Sequence, residues 1–269
     1  LAASLHGMLT SSANRWFSLR YKETLLNESD EAKEWLEDAQ QRMYDAIGKS
    51  NFQQEIFECY HDLIAFGTAC LMIEEDDEDT LLFSARHIKE IYIQENKKGF
   101  VDTLYRRFKM AAQSAVEKFG IENVSKELRI QAEKNPFDDY ELVHVVRPRL
   151  DFDPEKKDKA NMPFQSIYME YGSGHIISIS GFRENPYVIP RYLKASTEIY
   201  GRSPGMNALP DVKVLNKMVE NSLKASAKQI DPPLLIPDDG FLGPVRMAPG
   251  SLNYYRSGSR DRIEPLNIN

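Results

Sequence analysis

The spacing of apolar residues changes twice along this chain, and a fold of a single secondary-structure class accommodates neither change. Between residues 30 and 66 apolar side chains recur every three to four positions, the repeat of a helix with one buried face. Ala32, Trp35, Leu36, Ala39, Met43, Ala46 and Ile47 mark the first such helix. Asn27 or Ser29 is expected to cap it, Asp30, Glu31 and Glu34 suit its positive first turn, and Gly48 is expected to end it. Ser50 and Gln53 form a capping box for a second helix, which carries Phe52, Ile56, Phe57, Tyr60, Leu63 and Ile64 as far as Gly67. Beyond Gly67 the repeat shortens to two, predicting strands at 68–73, 81–84, 90–94 and 101–108. Helical spacing returns at 110–119 and 122–133 and gives way to strands at 140–146, 164–171 and 175–182. Gly172–Ser173–Gly174 supplies the tight turn between the last two. An α+β body is the expected outcome.

Residues 184–210 read as a proline-rich loop, followed by one strong helix over 211–230 that Asp231–Pro232–Pro233 stops. The remaining residues have short apolar runs among prolines and glycines and predict a small β-type module. Leu1 lies inside an apolar helical segment and the last residues read as extended chain, so the sequence is expected to be a piece of a longer protein.

Composition narrows the class. With 42% hydrophobic and 10% aromatic residues, the 269-residue chain is not globally disordered. No apolar stretch reaches the roughly 18–20 residues that span a bilayer. No basic segment followed by an apolar core and a cleavage site opens the chain, so export is not expected. Cys59 and Cys70 are too few for a disulfide framework and sit among apolar neighbours, as buried free thiols do. The net charge of −7 argues against uniform coating by nucleic acid but allows a local basic strip.

Catalytic and metal-binding patterns fail on their own chemistry. Gly201–Arg202–Ser203–Pro204–Gly205 matches the nucleophile-elbow string. The residue after the serine must give its N–H to an oxyanion, however, and Pro204 has none. A rigid turn leading into a helix is the better reading. His6, His61, His87, His144 and His175 are scattered, and no C-x-x-C exists. The acidic run at 74–79 lacks the alternation and glycine of a calcium loop and is expected at a solvated hairpin tip. The 172–174 glycines precede a strand, not the helix a phosphate site uses. No enzyme activity, cofactor or metal is expected.

The 211–230 helix carries the most specific pattern. At about 100° per residue, Lys213, Lys217, Lys224 and Lys228 fall within about 60° of one another, with Glu220 on the same face. Val212, Val214, Leu215, Met218, Val219 and Leu223 take the other side. Such a helix is either an ordinary helix with a solvated face or one packed by its apolar side into an assembly with its lysines toward a polyanion.

Several segments, in order, resemble the portal proteins, or head-to-tail connectors, of short-tailed bacteriophages. LAASLHGMLTSSANRWFSL is similar to that family's small-residue helix ending in a Trp–Phe pair. FGTACLMIEEDD and LLFSARHIKEIYIQENKKGFVDTLYRRFKM are similar to its strands and Arg–Arg–Phe segment. The strongest likeness is IYGRSPGMNALPDVKVLNKMVENSLKASAKQIDPPLLIPDDG, with a Tyr–Gly–Arg turn, a long helix and a proline-rich exit. The resemblance implies a non-enzymatic ring, usually of twelve copies, at one capsid vertex of the virion, assembled in the bacterial cytoplasm. Double-stranded DNA passes through it without sequence preference. Terminase, tail adaptors and capsid or scaffold proteins are its implied partners, and no membrane is involved. It also implies a wing at 1–205, a stem helix at 206–232 and part of a clip at 233–269, within a larger portal fold. Lys213, Lys217, Lys224 and Lys228 would then approach the DNA channel, with Glu220 limiting their grip. Pairing of those lysines with acids of a neighbouring subunit is the alternative within the same helix. A helical scaffold unrelated to portals is the alternative outside it.

Overall fold

The computed structural model describes residues 1–76, 80–156, 158–230, 234–235 and 264–265. The chain divides into two compact units, Leu1–Asn207 and Ala208–Asn269.

The first unit opens with three helices, α1 (Ala2–Leu9), α2 (Asp30–Lys49) and α3 (Phe52–Phe66). Strands β1 (Leu71–Asp76), β2 (Thr80–Ala85), β3 (Ile91–Glu95) and β4 (Val101–Ala111) follow, then short helices α4 (Ala112–Phe119) and α5 (Lys126–Lys134). Strands β5 (Asp139–Pro148), β6 (Phe164–Glu170), β7 (Ile176–Phe182) and the two-residue β8 (Tyr187–Val188) complete it. They form two antiparallel sheets, a small one ordered β2-β1-β8 and a larger one ordered β3-β4-β5-β6-β7.

Strand alternation builds the layers. On β1, Met72 points to one side and packs with Ile91, Ile93, Leu104 and Val146 of the larger sheet and with Tyr187 of β8. Leu71 and Ile73 point to the other side and pack with Phe83 and with Phe52 and Cys59 of α3. The small sheet is therefore sandwiched between the large sheet and α3. Further along the large sheet, Phe108, Leu142 and Ile177 are covered on this same face by Ala112, Ala115 and Leu128 of α4 and α5. Ile177 reaches that core because the β6–β7 register slips between Tyr168 and Met169, a bulge that turns one extra residue inward.

The helix boundaries depart from expectation for identifiable reasons. The capping box at Ser50 does not form: Asn51 is the cap residue of α3 and its side chain bonds nothing in the helix. Instead its amide donates to Phe83 O at 2.7 Å and accepts from Phe83 N at 2.9 Å. Glu55 Oε2 accepts from Ala85 N at 2.6 Å. Both residues are occupied with the open edge of β2, whose outward N–H groups would otherwise lack partners. Helix α2 passes through Gly48 and ends at Lys49, and neither Asn27 nor Ser29 caps it through a side-chain bond. Gly67 does end α3, with φ at +78°. The acidic run begins on β1, and Asp76 faces Thr80 across the hairpin; residues 77–79 lie outside the described residues.

Helix α6 (Pro204–Ile230) spans the boundary between the units. In the second unit the described strands are β9 (Leu234–Leu235) and β10 (Glu264–Pro265), which pair antiparallel. The rest of the expected clip lies outside the described residues.

Candidate nucleic-acid interface

Helix α6 begins seven residues before the expected start at 211, and Ser203 is the reason. Its Oγ accepts a hydrogen bond from Met206 N at 2.8 Å, which is N-cap geometry, and donates to Ala65 O at 2.9 Å. Pro204 takes the first helical position, where no N–H is required. Ser–Pro was thus a legible start signal. The loop reading of 184–210 rested on four prolines, and Pro210 misled it most, because it sits inside the helix. A proline there removes one helical hydrogen bond and costs about 3 kcal/mol in a helix interior.

The turn before α6 is locked to the end of α3. Gly67 and Gly201 approach so closely that a Cβ on either would overlap the other's backbone carbonyl. Gly201 N donates to Thr68 Oγ1 at 2.8 Å, Tyr192 N to Gly67 O at 2.9 Å and Arg202 N to Leu193 O at 2.7 Å. The Tyr200 hydroxyl accepts from Ile93 N at 3.3 Å and donates to Ile91 O at 3.4 Å. Arg202 closes the loop on Glu198 with two bonds of 2.9 and 2.7 Å. Ser203 is 1% exposed and its hydroxyl is engaged by backbone groups on both sides. Its place is that of a helix cap, as the turn reading expected, and among the described residues no histidine or carboxylate bonds it.

Along α6 every residue from 205 to 230 is exposed. Glu220 stands between two lysines: Lys217 Nζ lies 2.9 Å from Oε2, and Lys224 Nζ bonds Oε1. These bonds, that from Lys224 foremost, hold the Glu220 carboxyl below the usual carboxylate range. Lys213 and Lys228, at the two ends of the stripe, make no hydrogen bond or ion pair among the described residues. The stripe is therefore internally compensated at its middle and open at its ends. The opposite face, through Val212, Leu215, Val219 and Leu223, is apolar and uncovered, with Leu223 66% exposed. A helix of this kind does not reach its lowest free energy alone.

Other candidate sites are weaker. Among the described residues no three His, Cys, Asp or Glu side chains gather to hold a metal. A cleft of about 540 Å³ between α3 and the 85–90 segment is lined by His61, Asp62, Arg86, His87, Glu90 and Arg106. Its charges are of both signs and Arg106 is already paired with Glu90 at 2.8 Å, so it selects no ligand class. Cys59 and Cys70 are buried free thiols, each pushed up to about 12 by burial, and neither is a nucleophile at neutral pH. Among the described residues no helix is long and apolar enough to cross a membrane.

Comparison with known proteins places this arrangement. The chain is 31% identical to the "Portal protein" of Salmonella phage epsilon15 over 258 residues, covering 94% of this chain and 46% of the relative. It is 31% identical to the "Probable portal protein" of Bordetella phage BPP-1 over 257 residues, with the same two coverages. It thus spans about half the length of the curated relatives it matches. The family described as bacteriophage head to tail connecting protein matches residues 1–269. The chain that carries this lysine-striped helix therefore belongs to the bacteriophage head-to-tail connecting protein family.

Proposed function

We propose that this chain is part of a portal subunit that assembles into a ring at one capsid vertex and surrounds the DNA path during packaging and ejection. The observation that carries the reading is the two-sided α6, an uncovered apolar stripe backed by four lysines, in a member of the head-to-tail connecting family. Such a helix satisfies its apolar side against protein and leaves its cationic side to a polyanion. Compensation of Lys217 and Lys224 by Glu220 suits a surface along which DNA slides, since every strong phosphate contact adds resistance to movement. On this reading residues 1–205 are the wing, 206–232 the stem and 233–269 part of the clip. The ring has the twelve copies usual for portals, and terminase, tail adaptors and capsid or scaffold proteins meet it. It acts in the virion after assembly in the bacterial cytoplasm.

Electron microscopy of the full-length protein tests this directly. A ring with an axial hole wide enough for duplex DNA is expected. A discrete small oligomer without a hole, at several salt concentrations, transfers the reading to a helical scaffold.

A further inference from the structure

The segment from Pro190 to Ser203, from which α6 springs, is closed by polar contacts more than by burial. Tyr200 packs against the core between the sheets, whereas Tyr192, Leu193 and Ile199 are exposed. A surface segment of this kind opens more readily than the sheets beneath it. Arg191 ties it to two places that lie 96 and 92 residues earlier in the chain. Its Nη1 donates to Glu95 at the end of β3 and to Ile199 O at 3.1 Å. Its Nη2 donates to Gly99 O, in the β3–β4 turn, at 3.0 Å. Lys194 Nζ meets the same Glu95 carboxylate at 2.6 Å. The Arg191 and Glu95 side chains are 14% and 18% exposed, so their bond is better shielded than a surface ion pair.

The backbone of the segment folds over the same residue. Arg191 bridges Thr68 as an isolated antiparallel pair, and a Cβ on Gly201 would come within 3.0 Å of Arg191 Cβ. The outgoing and returning legs thus meet at Arg191, two residues before the Ser203 cap of α6. The far end of the tie is a turn built to keep one shape. Asn96 Oδ1 accepts from Lys98 N at 2.9 Å and from Phe100 N at 3.1 Å. Gly99 N donates to Asn96 O at 2.9 Å, and Gly99 takes a φ of +79° that suits a glycine. The turn offers Gly99 O to Arg191 and leaves Lys97, Lys98 and Phe100 open to solvent.

We infer that Arg191 couples the β3–β4 turn to the base of α6, so that whatever displaces the turn loosens the mounting of the helix. The element with two arrangements is the 190–203 segment, closed over Arg191 or open. Coupling of this kind is reciprocal, so loosening the base of α6 equally frees the turn. Arg191 is thus a positioning residue for α6, acting through the segment that ends at Ser203. The inference needs neither a ring nor DNA, and its failure leaves the portal reading standing.

Amide hydrogen exchange on the full-length protein, compared within one oligomeric state, tests it. Arg191→Met keeps much of the side chain's bulk and removes its donors. Exchange across 199–206 should quicken on the order of tenfold, because bonds between charged groups are lost. Exchange across 96–100 should quicken with it, and exchange in β5 and β6 should stay as it was. Asn96→Ala frees the Lys98 and Phe100 amides at the other end of the tie. That change should quicken 199–206 about fivefold, and most of this effect should vanish in the Arg191→Met background. Arg191→Lys guards against a variant that fails to fold. It keeps a cation beside Glu95 but not the fork that reaches Gly99 O, and should abolish the Asn96→Ala effect likewise. The coupling is overturned by an Asn96→Ala effect confined to the turn, by effects that simply multiply, or by equal quickening in β5 and β6.

Discussion

His144 Nδ1 and the Tyr187 hydroxyl lie 2.9 Å apart across the seam between the two sheets, both residues buried. His144 Nε2 meets Ser166 Oγ at 2.9 Å, and the ring stacks on Tyr168 at 3.9 Å between centroids. Either hydroxyl can donate or accept, so a neutral imidazole satisfies both partners in either tautomer. A charged one has no compensating acid bonded to it among the described residues. Burial, with the nearby charges of Arg106, Lys118 and Arg86, pushes the His144 pKa down to about 3.

This makes the fold acid-sensitive in a defined window. The unfolded chain binds a proton at this histidine near the ordinary pKa of about 6.5, and the folded chain does not until about 3. Its contribution is complete above the unfolded value and falls with pH below it, by at most about 1.4 kcal/mol per unit. Urea midpoints for the wild-type chain should therefore drop between pH 6.5 and 5, before carboxylates respond. His144→Phe should flatten that region while lowering stability at pH 7.5 by about 1–3 kcal/mol for each hydroxyl left unpaired. An unchanged slope in the variant would assign the acid sensitivity elsewhere.

Glu170 is the second buried polar anchor. It is 0% exposed and accepts from Ser125 N at 2.9 Å, from the Tyr140 hydroxyl at 2.9 Å and from Ser173 Oγ at 2.8 Å. Burial alone would raise its carboxyl pKa, but these donors outweigh it and hold the group below the usual range. The stability it contributes is present above the unfolded pKa and is lost as pH falls through the lower folded one. Glu170→Ala strands three donors between the β6–β7 turn and the start of α5, and should cost about 3 kcal/mol or more in chemical denaturation. Glu170→Gln keeps the shape and should cost less.

The glycine pair before α6 predicts a steric effect. Gly201→Ala places a Cβ against the Gly67 carbonyl, and backbone cannot yield as a side-chain tip can. Gly67→Ala meets the same wall and adds a positive φ. Each should lower the melting temperature well beyond Ser203→Ala, whose loss of a cap is worth about 1–2 kcal/mol. Equal and small effects would show that the turn relaxes.

These elements differ in how plainly the sequence announces them. Nearly every strand was legible because Ile91, Ile93, Leu104 and their neighbours alternate, and alternation is set by the pleat itself. The α6 face pattern was legible because a helix turns about 100° per residue, and the end of α3 because Gly67 accepts a positive φ. The missed features are those in which a local signal is diverted to a distant partner. Asn51 turns from its own helix to bond Phe83, and the Ser203 hydroxyl, whose place before a helix was legible, also donates to Ala65 O, 138 residues away. His144 and Glu170 carried no local signature, since all their side-chain partners but Ser173 lie 22 to 45 residues away.

The lysine stripe yields the prediction that bears most on DNA. Lys217 and Lys224 share Glu220, while Lys213 and Lys228 do not. Replacing all four lysines with glutamine should alter packaging or genome retention and leave ring assembly intact; unchanged packaging and retention would remove the DNA role. Glu220→Gln acts in the opposite direction, because it frees two cations per subunit without adding any. Duplex binding by the assembled ring should then tighten at low salt. The slope of log affinity against log salt should steepen by about 0.9 for each phosphate newly neutralised. Packaging should slow, since a stronger grip on the backbone opposes translation of the duplex. If the lysines instead pair with a neighbouring subunit's acids, Glu220→Gln should leave the salt slope unchanged and shift the salt concentration at which rings dissociate. Measuring both quantities on the same variant therefore separates contact with DNA from contact between subunits.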